Sequence, residues 1–93
     1  MEPLSIKDVH DRLQELPGWD MTSHTEISKE FEFKDFREAM DFAQKVGEEA
    51  SRQHHYPNIL IINNKVTITL TTQEEGCLTY MDFKMAKIIE QMV

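Results

Sequence analysis

The sequence predicts an α+β fold: a four-stranded antiparallel sheet with three helices packed on one face, in the order α-β-β-α-β-β-α. Three observations lead there. Apolar residues recur at helical spacing in three separate stretches, near 6–16, 36–50 and 81–92. Between them lie stretches with the two-residue alternation of half-buried strands, clearest where Val66, Ile68 and Leu70 interleave with Thr67, Thr69 and Thr71. The chain has 93 residues, enough for one compact domain over 1–93 and no more. A sheet with helices on one face buries every apolar stripe in that list.

The elements follow in order. Ser5 opens the first helix, with Asp8 three residues on as an aspartate form of the capping box. Ile6, Val9, Leu13 and Leu16 fall on one face, and Pro17-Gly18 ends the helix. Trp19 begins an extended region running to about Phe33. A turn near Ser23–Glu26 divides it into two strands. Ile27, Phe31 and Phe33 share a parity, with Glu30 and Glu32 between them, while Lys29 interrupts the apolar face. Asp35 is the expected N-cap of the second helix, whose apolar stripe reads Phe36, Ala39, Met40, Ala43, Val46, Gly47 and Ala50. It runs out near Gln53 or His54, and Pro57 forbids its continuation. Ile59–Ile62 is a short strand apolar on both faces, which predicts cover on two sides, by helices and by another subunit. Asn63-Asn64 suits a tight turn. Gly76 marks a loop, Thr79 and Asp82 form a second capping box, and Met81, Met85, Ile88, Ile89 and Met92 share one side of the last helix.

Composition narrows the function classes. The net charge of −7 opposes a phosphate backbone, so nucleic acid is not an expected partner. The single cysteine, Cys77, forms no internal disulfide, which fits a reducing compartment. No basic segment precedes an apolar run at the N-terminus, and no apolar run approaches membrane-spanning length. The expectation is a cytoplasmic protein with no membrane contact.

Chemistry concentrates in Gln53-His54-His55-Tyr56-Pro57, at the junction of a helix and a strand. Imidazole is the side chain that both gives and takes a proton near neutral pH. Proline restricts the backbone there and so restricts the side chains beside it. On residue spacing alone, His54 continues the apolar stripe and closes the helix end, whereas His55 lies beyond the stripe and points elsewhere. Adjacent residues rarely converge on one ion, and no Cys pair or His at i+3 or i+4 accompanies them, so no metal site is expected. Asp82 is accounted for by its capping box, Ser51 by the helix end, Tyr56 by packing on Pro57, and Gln73 by a loop.

Longer motifs then become recognisable. They are Leu16-Pro17-Gly18-Trp19, the run Phe31, Phe33, Phe36, Ala39 and Phe42, the segment from Asn64 to Thr72, and Gly76, Leu78, Thr79 and Asp82-Phe83. Together they resemble the pterin-4a-carbinolamine dehydratase family over nearly the whole chain. The family pattern pairs an acidic residue, three spacers and His-His-Pro with a third histidine after the last strand. Anchored on Pro57, the resemblance puts Ser51 at the acidic position, His55 and Tyr56 at the paired histidines, and Gln73 at the third. An alternative register keeps His54 and His55 as the pair and treats Tyr56 as an insertion. The resemblance implies loss of water from a tetrahydropterin carrying a hydroxyl at C4a, with no cofactor. It implies His55 as principal proton donor, Tyr56, Gln73 and His54 as its catalytic companions, and Ser51, Pro57, Thr71 and Thr72 at the substrate. It also implies dimers joined at sheet edges, pairing into tetramers. Some members serve instead as dimerisation cofactors for a transcription factor, so a non-catalytic pterin-binding or dimerisation module is the rival expectation. Activity on another pterin, as in molybdopterin metabolism, is a third.

Overall fold

A computed structural model of the chain describes residues 2–93. The elements are α1 (Ile6–Leu13), β1 (Asp20–Ser23), β2 (Glu26–Glu32), α2 (Phe36–Gln53), β3 (Asn58–Ile62), β4 (Lys65–Leu70) and α3 (Tyr80–Glu90), the order the periodicities predict. The four strands form one antiparallel sheet in the order β1-β2-β4-β3. Phe31 pairs with Val66, and Val66 with Ile61, so the inward residues line up across three strands. Ile27, Phe31, Val66, Ile68 and Leu70 meet Val9 of α1, Phe42 and Val46 of α2, and Phe83, Met85 and Ile89 of α3 in one buried core.

Local chemistry sets most of the boundaries. The hydroxyl of Ser5 accepts from the Asp8 amide at 3.1 Å, so the Ser5 half of the expected box forms. Asp35 caps α2 through the Glu38 amide at 2.9 Å. Ser23 accepts from the Thr25 amide at 3.2 Å and closes the β1–β2 turn. Asn63 takes a φ of 55°, the left-handed conformation expected of asparagine in the β3–β4 turn.

Two expectations need correction, and two more gain detail. α1 ends at Leu13; Gln14 to Gly18 form turns, and Leu16 reaches the core from there while Ile6 stays exposed. The face of α2 that meets the sheet is Ala39, Phe42, Val46 and Ala50. Phe36 and Met40 lie on the neighbouring face and are exposed, and Ala43 and Gly47 are half-buried. An 18-residue helix on a twisted sheet buries one stripe at 3.6-residue spacing, and the bulky Phe42 selects which. β3 is an edge strand, and the chain's own helices cover one side of it. Ile59 and Ile61 face the helices, but Leu60 and Ile62 point to the open sheet face, 55% and 62% exposed. Lys29 shares the inward parity of Ile27 and Phe31. It runs its alkyl stem outward to place Nζ 2.5 Å from Glu90 Oε1 and 3.0 Å from the Pro17 carbonyl.

Candidate active site

The end of α2 is shaped by His54. Its φ of 53° and ψ of 40° put it in the left-handed region. Glycine usually holds that cap position, because a Cβ there is strained. The reversal lets the His55 amide bond back to the Ala50 carbonyl at 3.0 Å and closes the helix. His54 itself is exposed, and the chain turn carries the His55 ring inward instead. The half-buried Pro57 then starts the path into β3.

The start of α3 arrives from the other side. Thr79 is its N-cap, and its amide donates to Asp82 Oδ2 at 3.0 Å. That bond needs only one carboxylate oxygen. The other, Oδ1, lies 2.6 Å from His55 Nε2. His55 is 5% exposed and Asp82 is fully buried. The end of β4 supplies a third member: the Thr72 hydroxyl lies 2.8 Å from Asp82 Oδ2 and 2.8 Å from the Thr79 hydroxyl.

The result is a buried imidazole–carboxylate pair whose carboxylate is held by two further donors. A buried polar group is tolerated when it is hydrogen-bonded, and His55, Thr72 and Thr79 together meet both oxygens of Asp82. The ring of His55 is engaged through Nε2, so Nδ1 is the nitrogen left to exchange protons. Among the described residues, Gln53 Oε1 is the single buried side-chain nitrogen or oxygen without a hydrogen-bond partner. Nδ1 makes no hydrogen bond within the chain and therefore reaches solvent.

The other expected residues stand around this pair. Tyr56 follows His55 and is exposed, as are Ser51 on the last turn of α2 and His54. Gln73 is exposed and follows Thr72, so the chain from His55 through Asp82 to Thr72 brings Gln73 to the same end of the sheet. Thr71 is half-buried. Thr72 is buried, and its backbone is engaged within the loop that follows: its amide donates to the Cys77 carbonyl at 3.1 Å and its carbonyl accepts from the Gly76 amide at 2.9 Å. Asp82 is the member that sequence reasoning set aside. The available signal was arithmetic: a capping box occupies one carboxylate oxygen and leaves the second for another donor.

Two further features lie outside the pair. A hollow of about 430 Å³ at the far end of α3 is lined in part by Lys29, Lys87, Glu15 and Glu90. Its charges are matched, Lys29 with Glu90 and Lys87 with Glu15, and it holds no histidine. Among the described residues no group of three His, Cys, Asp or Glu side chains is placed to hold a metal ion. Among the same residues no helix is long and apolar enough to cross a membrane.

Comparison with known proteins adds an independent line. The model of the family described as pterin 4 alpha carbinolamine dehydratase matches residues 2–92. A protein from Cyanothece is 43% identical over 89 residues, 96% of this chain and 91% of its own. One from Acidobacterium capsulatum is 40% identical over 93 residues, the full length of both chains. Each is provisionally named a pterin-4-alpha-carbinolamine dehydratase. The crystal structure of a transcriptional coactivator/pterin dehydratase from Brucella melitensis superposes with a TM-score of 0.92 at 29% identity, covering 98% of each chain.

Proposed function

The chain belongs to the pterin 4 alpha carbinolamine dehydratase family, and we propose that it dehydrates a tetrahydropterin hydroxylated at C4a, with His55 moving the protons. The observation that carries this reading is the pair at 2.6 Å. Asp82 secures Nε2, and Nδ1 is left free to act.

The chemistry needs a proton delivered to the C4a hydroxyl and a proton removed from N5. Protonated His55 gives its Nδ1 proton to the leaving hydroxyl, the C4a–O bond breaks with electron donation from N5, and water departs. The cation so formed carries its proton on N5, one atom from C4a. The lone pair freed on Nδ1 takes that proton, leaving the quinonoid dihydropterin and restoring the catalyst. One imidazole thus serves as acid and then base, and a positioned group of this kind typically contributes about 10²–10⁴-fold. The Tyr56 phenol and Gln73 amide orient the hydroxyl or ring by hydrogen bonds, since neither exchanges protons readily at neutral pH. Ser51, Pro57 and Thr71 complete the substrate side, with His54 at its rim. The role is pterin cofactor recycling in the cytoplasm.

Assembly follows from β3. Its unpaired edge, with Leu60 and Ile62 exposed, suits a second copy that extends the sheet.

The test generates the 4a-hydroxytetrahydropterin in situ and follows its dehydration. Wild type accelerates it, His55→Ala loses the acceleration, and Gln73→His gains rate by restoring an imidazole at the third family position. No acceleration by wild type rejects the enzymatic reading; equal rates for wild type and His55→Ala reject the residue. The departures at Ser51 and Gln73 favour one second reading, a non-catalytic pterin-binding or dimerisation module. Pterin binding without acceleration selects it.

A further inference from the structure

We infer that Thr72 is a positioning residue for His55. Its hydroxyl ends a one-way chain of hydrogen bonds on the Asp82 carboxylate, and so holds the His55 ring with its proton on Nε2 and Nδ1 outward. The catalytic part of this inference rests on the reading of His55 as the proton-transfer group.

The direction of the chain follows from counting donors. The Thr79 amide is an obligatory donor and meets Asp82 Oδ2 at 3.0 Å. Thr72 has one hydroxyl proton. Given to Asp82 Oδ2 at 2.8 Å, it leaves the 2.8 Å contact between the two hydroxyls to be donated by Thr79. The Thr79 oxygen in turn accepts from the Met81 amide at 3.3 Å. Every proton therefore points the same way, from the first turn of α3 through Thr79 and Thr72 to Asp82. Aligned hydrogen bonds in a buried setting polarise one another. Oδ2 is filled by two donors, which keeps Asp82 an acceptor and turns Oδ1 to the Nε2 proton of His55.

The side chain of Thr72 suits this task. It is 3% exposed. Its bonds to Cys77 and Gly76 clamp its backbone, the latter through a glycine at φ 65°. Valine keeps the shape of threonine and removes the proton. Oδ2 then has one donor, the Thr79 hydroxyl loses its acceptor, and the carboxylate is free to rotate away from the imidazole.

The experiment labels the histidines with ¹⁵N and reads the ring nitrogens at high pH in the assembled protein, with His55→Ala identifying the signal. Wild type shows only the Nε2–H tautomer at His55. Thr72→Val shows a mixture of tautomers, and its kcat falls about tenfold, the rate equivalent of one net hydrogen bond to a charged group, with KM unchanged. Thr72→Ser, which retains the hydroxyl, restores both. An Nδ1–H tautomer in wild type overturns the inference without any variant, as does a Thr72→Val protein with a pure Nε2–H signal. If wild type does not accelerate dehydration, the catalytic reading fails, while the nitrogen spectra still decide the role of Thr72.

Discussion

His55 Nε2 and Asp82 Oδ1 meet at 2.6 Å, twenty-seven residues apart in sequence and both shielded from solvent. Asp82 therefore serves two structures at once, the cap of α3 and the setting of the imidazole. Asp82→Asn separates them poorly, because an amide has one acceptor where the carboxylate has two. With its oxygen toward Thr79 and Thr72, the amide turns an N–H to His55, so the Nε2 proton goes unpaired or moves to Nδ1; turned the other way, the donors at Thr79 and Thr72 go unpaired. An orphaned buried donor costs about 1–3 kcal/mol. The variant is expected to unfold at lower urea concentration by an amount in that range, and to lose most dehydration rate. Wild-type stability together with a wild-type dehydration rate in Asp82→Asn is the outcome that contradicts this account.

His54 holds a left-handed cap with φ 53°. A residue with a Cβ carries about 1–2 kcal/mol of strain in that conformation. Offset by the greater freedom of glycine in the unfolded chain, His54→Gly is expected to raise stability by about 0.5–1 kcal/mol. Chemical denaturation reads the change. A loss of stability would mean that the imidazole makes a compensating contact.

Gly18 has the opposite character. Its φ is 89°, and a Cβ added there would lie 2.8 Å from Lys29 Cε. Gly18→Ala thus meets backbone strain and a side chain tied to Glu90 and the Pro17 carbonyl. A loss of roughly 1–2 kcal/mol from the backbone alone is expected, with more from the clash. In the double variant with Lys29→Ala, the clash component disappears and the backbone component stays. Strict additivity of the two single changes would show that the side chain yields freely.

β3 predicts the oligomeric state. If a second copy pairs at this edge as proposed, the wild type is expected to show a mass above that of a 10.9 kDa monomer in light scattering. Leu60→Lys puts a charge on the exposed edge strand and shifts the population to monomer, as charged residues do at natural sheet edges. An unchanged mass would place the association elsewhere, for instance on the exposed Phe36 and Met40 of α2.

The element order was legible because its signals are local. Alternation in 66–71, the caps Ser5, Asp35 and Thr79, and the stop at Pro57 each act within a few residues. Ala39, Val46 and Ala50 of the expected α2 stripe do turn inward, but which neighbours share their face was not legible. Phe36, Met40, Ala43 and Gly47 make as regular a face as Ala39, Phe42, Val46 and Ala50, and only the fit of Phe42 beside Phe31 and Phe33 chooses between them. The cover of β3 is a related case. Apolar residues on both faces of a strand announce burial but not whether the same chain supplies it.

By itself, then, the sequence determined the helices and strands, their order, and the short segment from which an acid–base group would come. Periodicity and side-chain capping are written over stretches of a few residues and need nothing from afar. The tertiary structure alone decided that His55, not His54, turns inward, and that its ring nitrogen finds Asp82. That contact joins the end of one helix to the start of another. Its length is set by how α2, β4 and α3 pack, and no local rule carries that information.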